Sequence, residues 1–158
     1  MNKLILIIIA SFTLFSCETN NPEPYSFKIE SIRDSLSEDY KLFIATTSLT
    51  NNSKDTLKFV TMSCMWDIIY STSNPCISVR GPEACFKNIP LLITIAPTKS
   101  FHRDIILFMH HHKDREGFKL GINIIKMDNL SYFTGLEVFS KPHNGLENEI
   151  VWSNSMAE

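Results

Sequence analysis

The chain has 158 residues, of which 44% are hydrophobic and 11% aromatic. That is enough for one packed domain behind a short leader, and it excludes disorder for the bulk of the chain. The formal net charge is -2 and no lysine/arginine stripe runs through the body, which excludes a strongly basic nucleic-acid binder.

The first seventeen residues read MNKLILIIIASFTLFSC. Lys3 supplies a short positive start, and Leu4 to Phe15 form an apolar run. That run is shorter than the roughly 20 residues a membrane span needs, and its flanks are those of a secretory signal peptide. Leu14 stands three positions before Cys17 and Ser16 directly before it. This end resembles the lipobox of bacterial lipoproteins: an aliphatic residue, two mostly small residues, then cysteine. Phe15 is bulkier than is usual there. The resemblance implies cleavage after residue 16, two acyl chains on the Cys17 sulfur, and acylation of the new amine as a further step. Each buried CH₂ adds about 0.8 kcal/mol of membrane affinity, so two or three chains hold a protein at a bilayer. Residues 17–24, CETNNPEP, are polar and proline-bearing and read as an extended tether. Loss of Lys3 with the leader takes the formal net charge from -2 to -3.

From Tyr25 to Glu158 the period-two signal dominates. The candidate strands, in order, are YSFKIESIRD, YKLFIATTSLT, LKFVTMSCMW, LLITI, FHRDIILFM, FKLGINII, YFTGLEVFS and EIVW. They are short and rich in β-branched and aromatic residues. Asn, Ser, Pro, Gly and Asp separate them. In the second, Phe43, Ala45 and Thr47 share one face while Leu42, Ile44 and Thr46 share the other. No long window keeps a 3.6-residue apolar period. Roughly eight strands without interleaved helices predict an all-β antiparallel sandwich or barrel.

Asn51 and Asn52 turn the chain after the second strand, and Asp55 precedes the third. Further on, LLITIAPTKSFHRDIIL places a Pro97 turn between two strands. This order, over roughly residues 40–125, is similar to bacterial immunoglobulin-like sandwiches such as the intracellular proteinase inhibitor (BsuPI-type) group. That group carries an N-N-S turn after its second strand and an L-x-P-G-x-S turn before a late one. Thr98 stands here where glycine is usual. The resemblance implies an immunoglobulin-like fold; inhibitor activity does not follow from fold alone.

The middle stretch, DIIYSTSNPCISVRGPEACFKNIP, reads as a long excursion at the sandwich edge with a short strand at Ile77 to Arg80. With Cys17 lipidated, Cys64, Cys76 and Cys85 remain in an oxidising compartment. Cys76–Cys85 is the expected disulfide; Cys64–Cys85 and Cys64–Cys76 stay open as alternatives.

Two clusters invite metal. MSCMW brings soft sulfurs together, and Met62 and Cys64 share a strand face, a weak copper(I) pattern. His110, His111 and His112, with Met109 beside them, form a candidate transition-metal cluster in a hairpin loop. His102 and His143 stand apart, and no H-E-x-x-H spacing occurs. Nucleophilic catalysis lacks its patterns: there is no G-x-S-x-G, no S-x-x-K, and five glycines leave little for a phosphate loop. An enzyme is therefore not expected, and no cofactor beyond the covalent lipid on Cys17. The expected protein is a non-catalytic binding or structural module of the cell envelope. It is lipid-anchored, with the outer membrane preferred over the inner, and an exposed strand edge or the cysteine loop is offered to a protein partner by β-augmentation. The alternatives are a copper- or zinc-handling lipoprotein and an envelope proteinase inhibitor.

Overall fold

Among the described residues there are nine strands: eight stand where strands are expected, and one, Tyr70–Thr72, falls inside the stretch read as an irregular excursion. The structure, a computed structural model, describes residues 23–34, 42–82, 84–109, 117–127 and 148–155. The strands are β1 (Tyr25–Asp34), β2 (Leu42–Asn51), β3 (Leu57–Met62), β4 (Tyr70–Thr72), β5 (Ile77–Arg80), β6 (Pro90–Ile95), β7 (Ser100–Met109), β8 (Leu120–Lys126) and β9 (Asn148–Trp152). The expected strand YFTGLEVFS lies outside the described residues.

One sheet has the order β1-β2-β7-β5. In the other, β8 pairs with β9 on one side, with β3 and β4 on the other, and β6 lies beyond β3. All pairings are antiparallel. In spatial order β1-β2-β7-β5 and β9-β8-β3-β6 match strands A-B-E-D and G-F-C-C′ of an immunoglobulin-like sandwich. In the chain, however, β5 precedes β6 where C′ would precede D, and β4 has no counterpart. One detail is particular to this chain. The strand in the D position, β5, comes from the long connection between β3 and β6.

Alternation decides which side chains meet between the sheets. Phe43, Ala45, Thr47 and Leu49 of β2 are buried, as are Ile105, Leu107 and Met109 of β7. Leu120, Ile122 and Ile124 of β8 and Leu57 and Phe59 of β3 close the core from the other side. Fully burying side chains of this size contributes about 1.5–3 kcal/mol each. A register shift between Ile29 and Ser31 lets β1 turn Ile32 toward this core late in the strand.

The turns at one end of the sandwich are knotted together by Asn51, whose side chain is fully buried. Its Nδ2 donates to the carbonyls of Asp55 (2.8 Å) and Ile95 (2.9 Å). Its Oδ1 accepts from Ser53 N (3.0 Å) and Ser53 Oγ (2.7 Å). Its backbone reaches the next turn: Asn51 N donates to Lys99 O and Thr98 N donates to Asn51 O. One amide thus joins the β2–β3 turn to the β6–β7 turn. Thr98 sits in the second turn at φ 64°, the left-handed region that suits glycine and strains a β-branched residue.

Candidate functional site

β3 stops at Met62, four residues before the expected end of the run. Trp66 N donates to Cys64 O (2.6 Å) and Ile69 N to Trp66 O (3.0 Å), which curls Trp66–Ile68 into a 3-10 turn. Met62, Cys64 and Trp66 therefore do not line one strand face. Met62 is buried in the core and Cys64 is in a disulfide, so the copper(I) pair is not formed.

The disulfide is Cys64–Cys85, with a Cα–Cα distance of 5.9 Å; Cys76 is free and exposed. This corrects the expected Cys76–Cys85 pair, and the reason is β5. Cys76 precedes that strand, at the level where Ile77 pairs with Met109. The chain then runs four extended residues, roughly 13 Å, away from it. At Gly81 it crosses from one sheet to the other so close to Cys64 that a Cβ on Gly81 would run into the Cys64 carbonyl oxygen. The crossing delivers Cys85 to Cys64.

Hydrogen bonds fix the rest of this loop. Asn88 Oδ1 accepts from Cys64 N and Met65 N, both at 3.3 Å. Ser63 N donates to Ile89 O (3.0 Å), Ile89 N to Ser63 Oγ (3.0 Å), and Ser63 Oγ to Lys87 O (3.2 Å). On this held frame Phe86 is 100% exposed and Ile89 40%. A large apolar ring presented wholly to water beside a tied loop is a side chain that a partner could bury.

Beside the loop lies an arginine in an apolar position. Along β7, Phe101, Arg103, Ile105, Leu107 and Met109 alternate onto the inner face, and Arg103 is half-buried. Its Cζ lies 5.4 Å from the Trp66 ring and 5.1 Å from the Phe101 ring. Arg103 Nη1 donates to Thr61 Oγ1 at 3.0 Å and reaches Met62 O at 3.5 Å. Burial pushes the Tyr70 phenol up to about 12, and the Arg103 charge pulls the other way. Trp66 is itself oriented by its Nε1 donating to Ser63 O at 3.2 Å. Two aromatic faces and neutral oxygens therefore hold Arg103, and these partners carry no negative charge.

The remaining sequence-derived candidates divide as follows. Cys17 and His110, His111 and His112 lie outside the described residues. Met109 is fully buried in the core, which removes it as a ligand beside the histidines. His102 is exposed on the outer face of β7. Among the described residues no group of three His, Cys, Asp or Glu side chains is placed to hold a metal ion, and no helix is long and apolar enough to cross a membrane.

Sequence reading missed Phe86 and Arg103. Arg103 had a signal, a charge on the apolar face of FHRDIILFM; Phe86 had none. Comparison with protein-family models, curated proteins and solved structures finds no match.

Proposed function

We propose that this protein is a lipid-anchored lipoprotein of the bacterial cell envelope, a non-catalytic module that docks a partner protein through its Cys64–Cys85 loop. The anchor rests on the lipobox-like LFSC at residues 14–17. The docking role rests on one observation: Phe86, fully exposed, on a loop fixed by a disulfide and by the Asn88 and Ser63 hydrogen bonds. Holding an apolar anchor rigid lowers the entropy lost on binding.

Two measurements test the two halves. Intact mass of protein from its native host is expected to show acyl chains on Cys17; an unmodified thiol there defeats the anchor. A photo-crosslinking residue is placed at Phe86, and separately at Lys28, exposed on β1. A discrete adduct from position 86 and none from position 28 is expected. Identical adducts from both positions, or none from 86, defeat the docking loop.

A further inference from the structure

We propose that the margin of β7 beside this loop takes up an extended segment of a partner protein as an added strand, with a carboxylate of that segment seated on Arg103. The inference rests on the docking role just given, and it names the chemistry of the partner.

The margin exists because β5 is short. β5 pairs with β7 only from Ile106 to Met109, whereas β2 pairs with β7 along the opposite side from Ser100 to Phe108. Among the described residues, Ser100 to Ile105 carry no strand on the side away from β2. Strand addition uses such a margin: backbone bonds give affinity and alternate side chains give selectivity. Six extended residues make a margin of roughly 20 Å.

Arg103 lies within that stretch and supplies the selectivity. Its side chain turns inward, half-buried, against Trp66 and Phe101. A partly desolvated guanidinium held by neutral groups gains more from a carboxylate than one already paired. Arginine's planar fork meets a carboxylate through two parallel N–H bonds, which a lysine cannot reproduce. The rings and Thr61 restrict the fork before a ligand arrives, so little rotamer entropy remains to be lost.

The test uses the mature full chain in detergent micelles, isotopically labelled, and three capped peptides of alternating Thr and Val. One has a central Glu, one a central Gln, and one is the Glu peptide N-methylated at alternate residues. The amide signals of residues 101–105 and the Arg103 Nε–H signal report binding. The Glu peptide is expected to bind roughly tenfold tighter than the Gln peptide. N-methylation abolishes binding, because it removes the backbone donors of the added strand. R103K, which keeps the charge without the fork, weakens the Glu peptide, and R103Q erases the Glu/Gln difference. If R103Q fails to fold, R103K and the three peptides decide the matter on the native fold.

Equal affinity for the Glu and Gln peptides overturns the carboxylate. Indifference to N-methylation, or shifts confined to residues away from 101–105, overturns the added strand. Peptide-free dimerisation through the same amides assigns the margin to a second copy and overturns a partner segment. F86S separates the two proposals. It removes the position-86 contact and leaves peptide selectivity intact, so failure of one is not read as failure of the other.

Discussion

Two parts of this sandwich are fixed in opposite ways. At the turn end, a single buried side chain, Asn51, bonds two hairpin turns together, and everything it touches is backbone or a neighbouring serine. On the side between β5 and β6, a disulfide and the Asn88 amide fix a long connection that turns its apolar residues outward. The first region uses its polar groups to close on itself. The second is tied at Ser63, Cys64, Cys85 and Asn88, yet it leaves Phe86 in water, near an Arg103 held by neutral partners. A tied loop that turns apolar side chains outward suits recognition, whereas a turn that uses its polar groups on itself suits structure.

The sharpest way to break this contrast is to remove the covalent bond. Cys85→Ser is expected to lower unfolding stability by about 3 kcal/mol, the loop-entropy value for its spacing, with Cys64 and Cys85 standing 21 positions apart. Cys76→Ser is expected to change nothing, and denaturant melts of the two variants check both. Equal losses in the two would return the pairing to Cys76.

Asn51→Ala comes next. It strips the donors from the carbonyls of Asp55 and Ile95. A loss of roughly 2 kcal/mol is expected, because an unsatisfied buried polar group costs about 1–3 kcal/mol. Phe86 crosslinking should survive in this variant, since the two regions share no side chain.

Alkaline pH sharpens the comparison further. The Tyr70 phenol titrates at about 12 in the folded protein against 10.0 when unfolded. Its neutral form is the one the fold prefers. That contribution to stability is whole below pH 10 and drains away as pH rises toward 12. Melts across this window should show the decline in the native chain and a shallower one in Tyr70→Phe.

The smallest expected effect is a gain. Thr98→Gly relieves a β-branched residue at φ 64°. Stability is expected to rise by up to about 1 kcal/mol, the left-handed penalty less the extra backbone entropy of glycine. A thermal melt that falls instead would mean that the threonine side chain contributes more than its backbone costs.

Much of the fold was legible in the chain because its cause is local. Alternation placed Phe43, Ala45 and Thr47 on one face, and all three are among the buried residues of β2. Even the short strand at Ile77 to Arg80 stands where its pattern put it. The disulfide was not legible, because the pairing depends on where Gly81 leaves one sheet for the other, a property of the assembled layers. The NNS turn was visible as a turn, but the reach of Asn51 to Ile95 spans 44 positions and belongs to the tertiary structure. Arg103 was missed, although its place on the apolar face of FHRDIILFM marks it, and its meaning depends on the length of β5, which belongs to the assembled sheet.

The brevity of β5 has one more consequence. An uncovered β-margin invites copies of the same molecule to zip together, a hazard that grows where molecules are crowded on a surface. Two copies aligned antiparallel about Arg103 would bring guanidinium against guanidinium. Like charges directly opposed across a strand pair repel. The residue that selects an acidic stranger would thereby also keep siblings apart, and replacing it by leucine should increase self-association.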